Sequence, residues 1–94
     1  MIVCCVTYYI KQGKREEFYQ KVLDAGICEK SAAEGLWYEY FFPADGSDRI
    51  LIYEGWKNQA QFDAHLASEH VRTLQDIKKD YLTDMKIDRY EIAR

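Results

Sequence analysis

The sequence predicts an α+β domain of element order βαββαβ, an antiparallel sheet with its helices on one face. Three observations predict it. The 94 residues suffice for one small domain and not two. Short β-branched and aromatic runs alternate with stretches whose apolar residues recur at helical spacing. Turn and capping residues fall at the joints between them.

Taken in order, Ile2 to Ile10 is β-branched or aromatic at most positions and is followed by a Gly13-Lys14 turn signal, so it reads as a strand apolar on both faces. From Lys14 to about Cys28, Phe18, Val22 and Ala25 recur at helical spacing and Tyr19 and Leu23 widen the stripe, which predicts a helix ending near Gly26. Glu29 to Gly35 reads as a polar connection. Leu36 to Phe42 is too aromatic and too short for a helix, which makes it the second strand. Pro43 to Asp48 is a turn and Arg49 to Trp56 the third strand, the two strands forming a hairpin. Asn58 caps a short helix with Gln61 as capping-box partner, and Phe62, His65 and Leu66 share one of its faces. Ser68 restarts a second helical segment, in which Val71, Leu74, Ile77 or Lys78, and Tyr81 recur, before a last strand from Lys86 to Ile92. No repeat, linker or low-complexity stretch interrupts residues 1–94, and the order is that of the split βαβ unit of ferredoxin-like folds.

Composition narrows the partners. A formal charge of -3 and a pI near 5.3, with no basic cluster beyond Lys14-Arg15 or Lys78-Lys79, argue against nucleic acid. No apolar run approaches the roughly 20 residues of a membrane span, and Met1 to Val6 lacks the charged start of a signal peptide, so a soluble cytoplasmic protein is expected. Cys4, Cys5 and Cys28 are odd in number, which disfavours a disulfide framework; buried structural cysteine is the expectation, with a reactive thiol as the alternative.

Strand parity bears on assembly. If Ile2, Cys4, Val6, Tyr8 and Ile10 face the helices, the opposite row is Val3, Cys5, Thr7 and Tyr9, extended by Trp37, Phe41, Leu51 and Tyr53. That is not a solvent face. A second copy of the chain is its simplest cover, so a homodimer packed sheet to sheet is expected; the alternative leaves these aromatics half exposed at sheet edges.

The residues that could carry chemistry cluster late in the chain. His65 and His70 are five apart across a helix break, which is not the spacing of a zinc-binding helix, and no metal is expected. His65 shares the sheet-facing side with Phe62 and Leu66. Glu54 lies on an otherwise apolar strand, where a carboxylate is costly unless paired. A His65–Glu54 pair satisfies both groups and gives an imidazole able to move a proton near neutral pH. The plainer alternatives are a core histidine bonded to a backbone carbonyl and a strand-end carboxylate reaching water or Lys57. Tyr8, Tyr38, Tyr40 and Trp56 have helix-facing parity and, with Phe62, could line a flat, mostly apolar pocket for a planar oxygenated molecule. No nucleotide, flavin or phosphate motif is present, and no cofactor is expected.

Asp48 to Trp56, followed by Phe62-Asp63-Ala64-His65-Leu66-Ala67-Ser68-Glu69-His70 and preceded by Lys11 to Phe18, resembles antibiotic-biosynthesis monooxygenase (ABM) domains. The resemblance spans nearly the whole chain. It implies the ferredoxin-like dimer known as the dimeric α/β barrel, and a family that includes cofactor-independent oxygenases of quinols and polycyclic phenols, heme-degrading enzymes and an isomerase of the phosphorylated autoinducer-2 signal. Val6, His65 and Gln75 stand where the heme-degrading branch has Asn, Trp and His, which argues against that branch. Arg49, Tyr53, Glu54, Trp56, His65 and His70 are in register with the autoinducer-processing branch.

The function expected is a cofactor-independent monooxygenase of a quinol- or phenol-like or enolisable substrate, with His65, oriented by Glu54, taking a hydroxyl proton and O2 as co-substrate. The alternatives are an isomerase of a small oxygenated metabolite and a non-catalytic ligand-binding dimer.

Overall fold

The computed structural model describes residues 1–93. Eight elements follow one another: β1 (Ile2–Ile10), α1 (Arg15–Asp24), α2 (Ile27–Glu34), β2 (Trp37–Phe41), β3 (Arg49–Trp56), α3 (Gln59–Leu66), α4 (Glu69–Tyr81) and β4 (Leu82–Glu91). The strands form one antiparallel sheet in the order β2-β3-β1-β4, the ferredoxin-like arrangement expected.

Pairing sets the parity of the helix-covered face. Tyr38, Glu54, Cys4 and Arg89 are cross-strand neighbours along one row, and Tyr40, Ile52, Val6 and Ile87 along the next. Alternate residues Ile2, Cys4, Val6, Tyr8 and Ile10 of β1 are all buried, and the core closes over them with Phe18, Val22, Ile27 and Trp56, each with no exposed surface.

Local signals start the later helices. Asn58 Oδ1 accepts the Gln61 backbone N–H at 2.9 Å, while Gln61 Oε1 accepts the Lys57 N–H at 2.7 Å, a reciprocal cap displaced by one residue. Ser68 Oγ accepts the Val71 N–H at 3.4 Å and opens α4. Ile77 packs partly buried against the core while Lys78 turns into a cavity wall, so both fall on the inward side of α4.

Two boundaries differ from the sequence reading. The first helix ends at Asp24, near Gly26 as expected, and Gly26 takes a left-handed φ of 70°, but the stretch expected as a connection from Glu29 to Gly35 is helical as far as Glu34, part of a second helix. Only Ile27 and Ser31 of α2 are buried, one turn apart, too few inward residues to show as a periodic stripe. β4 begins at Leu82 directly after α4, four residues before the expected Lys86, because its first half is mostly exposed and carries no apolar alternation.

The opposite sheet face bears Phe41, Leu51, Tyr53 and Tyr90, which are 49%, 39%, 40% and 55% exposed. Cys5 is exposed on the same face, against the expectation of burial, because no helix covers that side; Cys4 is buried and Cys28 half-buried, and all three are free. Among the described residues no helix is long and apolar enough to cross a membrane.

Candidate active site

A cavity of about 120 Å³ opens between the sheet and helices α3 and α4, a size of the order that holds a single aromatic ring. Its floor is the helix-facing row of the sheet, Cys4, Val6, Tyr8, Tyr38 and Glu54. Phe62 and His65 come from α3, and Leu74, Gln75 and Lys78 from α4. Met85 and Ile87 of β4 flank it while remaining largely exposed.

Of the residues singled out from sequence, Tyr8, Tyr38, Glu54, Phe62 and His65 therefore meet at one cavity. Tyr40 and Trp56 do not line it. Tyr40 sits one row further along β2, its hydroxyl 3.2 Å from that of Tyr38. Trp56 is wholly buried beneath His65, the two rings stacked at 4.4 Å with 30° between their planes, so it sets the imidazole's plane without reaching the cavity.

The expected His65–Glu54 pair is not formed. His65 Nδ1 lies 2.9 Å from Glu34 Oε1, and the same oxygen is 2.7 Å from His70 Nε2. Glu34 ends α2, a helix with only Ile27 and Ser31 buried, so no periodic pattern in the sequence points to this carboxylate. Gly35 makes the approach possible: a Cβ there would lie 2.6 Å from the Trp56 ring and 2.9 Å from the Gly55 carbonyl oxygen. The spacing of His65 and His70 argued against a metal-ligand set, yet folding brings Glu34, His65 and His70 together, their ligand atoms within 4.8 Å of one another.

Since a carboxylate only accepts, the proton between Glu34 and His65 belongs on Nδ1. That leaves Nε2 with its lone pair, on a ring that borders the cavity. His70 donates from Nε2 to the same carboxylate, and Ser68 Oγ, which donates to the His65 carbonyl at 2.5 Å, lies 3.2 Å from that nitrogen.

Glu54 instead accepts a 3.3 Å hydrogen bond from the Trp56 indole N–H. Burial pushes its carboxyl up to about 7, opposed by that bond and by the charge of Lys78. Burial pulls the Lys78 ammonium down, with Glu54 opposing, and its Nζ lies 5.1 Å from the centre of the Tyr8 ring. Desolvation lowers the His65 imidazole against the opposing pull of Glu34. Burial first of all raises the Tyr8, Tyr38 and Tyr40 hydroxyls, with the Tyr40 hydrogen bond opposing it at Tyr38, and they stay protonated. The cavity thus presents an imidazole acceptor, a carboxyl poised near neutrality and phenolic donors in an apolar wall.

The family model for antibiotic biosynthesis monooxygenases matches residues 1–77, everything from β1 into the last turns of α4 and so the whole Glu34–His65–His70 cluster. The chain belongs to the ABM family. A Nitrosomonas europaea structure named as a candidate antibiotic biosynthesis monooxygenase is 25% identical over all of both chains, with a TM-score of 0.88. One from Deinococcus radiodurans, named likewise, is 24% identical with a TM-score of 0.84, over all of this chain and 94% of that one. A Bacteroides thetaiotaomicron protein of unknown function is 22% identical with a TM-score of 0.80, over 97% of this chain and 96% of its own. The last two similarities are of fold. Among curated proteins no relative matches this ABM chain.

Proposed function

We propose that this ABM chain is a homodimeric, cofactor-independent monooxygenase of a quinol- or phenol-like or enolisable substrate, with His65 as the proton-transfer group. The observation that carries the reading is the Glu34–His65 pair, which leaves an unprotonated Nε2 on a ring that lines an apolar cavity. His65 takes the hydroxyl proton of a ring seated against Phe62 and Leu74, and Glu34 stabilises the imidazolium that results. The electron-rich anion then reacts with O2: an anthrone-type CH2 becomes a carbonyl, with the second oxygen atom leaving as water. A positioned base contributes roughly 10²–10⁴-fold in rate. Glu54, raised toward neutrality on another wall of the cavity, favours a second reading in which its proton is delivered to a different carbon, and the reaction is an isomerisation that consumes no O2.

The homodimer rests on the uncovered sheet face. Phe41, Leu51 and Tyr53 are exposed there, and a second copy of the chain packed on that face would cover them.

The deciding experiment is O2 uptake with anthrone- and menadiol-like substrates in metal-free, flavin-free buffer, for the parent chain and for His65→Ala and Glu34→Gln. Enzyme-dependent uptake, lost in His65→Ala and reduced tenfold or more in Glu34→Gln, is expected. Turnover unchanged in His65→Ala would sink the assignment. Conversion without O2 uptake would favour the isomerase, and saturable binding without conversion a ligand-binding dimer.

A further inference from the structure

We propose that Glu34, His65 and His70 form a site for one divalent transition-metal cation of the zinc type, and that filling it turns His65 from a proton acceptor toward the cavity into a proton donor. The second half rests on the tautomer assigned to His65 above.

Two imidazoles and a carboxylate are the ligand chemistry that zinc and its first-row neighbours take. Glu34 Oε1 is 2.9 Å from His65 Nδ1 and 2.7 Å from His70 Nε2, and all the ligand atoms lie within 4.8 Å of one another. A tetrahedral zinc ion with ligand bonds near 2.0–2.1 Å needs separations of roughly 3.3 Å. The carboxylate must therefore draw back by about half an ångström and the two imidazoles close on each other. His65 is in the last turn of α3 and His70 in the first turn of α4, so the joint at Ala67-Ser68 can take up the change.

Charge points the same way. Glu34 has only 30% of its side chain exposed, and the groups within ion-pair distance of it among the described residues are the two imidazoles, with no lysine or arginine. When both rings are neutral, a half-buried negative charge is left without a fixed counter-charge, and a divalent cation supplies one. An opening beside α4, lined by Ala25, Lys30, Glu69, His70 and Thr73, brings solvent to the His70 side of the cluster.

Neither Glu34 nor His70 lines the cavity, so the cation would sit behind the His65 ring, away from substrate. Coordination takes the Nδ1 lone pair of a neutral imidazole, and the ring proton then resides on Nε2. Nε2, the nitrogen proposed to accept the substrate proton, loses its lone pair, and the base is switched off. This is a control site, filled from the side opposite the substrate.

The test begins without substrate, on the full chain stripped of metal by a chelator. Cobalt(II) should develop visible ligand-field bands that saturate at one equivalent per chain and are displaced by zinc. Glu34→Gln and His70→Gln, checked for fold by circular dichroism, should each weaken binding at least tenfold. Nitrogen-15 spectra should show His65 protonated on Nδ1 in the metal-free chain and on Nε2 when zinc is bound. Absence of stoichiometric binding, binding unaffected by both variants, or a His65 that keeps Nδ1–H at saturation would each overturn the proposal. With an accepted quinol, zinc should suppress turnover of the parent chain at concentrations that leave His70→Gln at its own metal-free rate. If zinc moves the proton to Nε2 yet turnover persists, the cation site stands and His65 is not the base.

Discussion

Replacing Glu54 by Gln should remove a pH dependence from folding stability that the parent chain carries. The Glu54 side chain is buried, 8% exposed, and holds one 3.3 Å hydrogen bond from the Trp56 indole. Its carboxyl is raised by desolvation from the ordinary 4.5 to about 7. The folded state therefore keeps a proton that the unfolded chain releases, and the stability this confers is present in full below about pH 4.5 and lost as pH rises through 7. Over that window the slope is about 1.4 kcal/mol per pH unit, and integrating from pH 5 to pH 8 gives a loss of about 2.5 kcal/mol. His65 acts in the opposite sense. Its lowered imidazole destabilises the folded state as pH falls below 6.5, so a single profile mixes the two groups. The difference between the parent chain and Glu54→Gln cancels His65 and isolates Glu54. Urea unfolding at one fixed protein concentration, at pH 5, 6, 7 and 8, reads it directly: the variant should gain about 2–3 kcal/mol on the parent chain across that range. Parallel profiles would mean that Glu54 is hydrated and ionised at pH 7, and the proton-delivery role would fall with it.

Three other predictions follow from the packing. Gly35→Ala forces a Cβ to within 2.6 Å of the Trp56 ring, so α2 must shift, and urea midpoints should report a loss of about 1–3 kcal/mol together with reduced turnover from a displaced Glu34. Asn58→Ala removes the α3 cap and should cost about 1 kcal/mol, lowering the melting temperature by roughly 4–8 °C in calorimetry; an unchanged melting point would mean the Gln61–Lys57 bond alone holds the helix start. Leu51→Lys puts a charge in the middle of the uncovered sheet face, where the residue is 39% exposed and the single chain loses little. Sedimentation should show a dimer for the parent chain and a monomer for the variant, and a dimer in both would place the interface elsewhere.

The five elements with strong internal patterns could be read from the chain: β1, α1, the β2–β3 hairpin and α4. Short β-branched and aromatic runs mark β1 and the β2–β3 hairpin, burial of one face imposes a period of 3.6 on α1 and α4, and Asn58 and Ser68 mark helix starts through bonds to backbone only three residues away. The start of β4 and the whole of α2 could not be read this way. β4 is mostly exposed, and α2 buries only Ile27 and Ser31, so neither carries a stripe.

The site divides along the same line. Strand parity placed Tyr8, Tyr38 and Glu54 on one face, and helical spacing put Phe62 and His65 over it, because both are consequences of local geometry. Which carboxylate meets the imidazole was decided elsewhere. Glu54 is 11 residues from His65 and bonds to Trp56, while Glu34, 31 residues away, reaches the ring. That choice depends on how closely α2 docks against Trp56 at Gly35, a contact between segments with no sequence period to announce it. The sequence by itself determined the sheet, its two unlike faces and the histidine; only the tertiary structure supplied the partner that fixes which nitrogen of that histidine carries the proton.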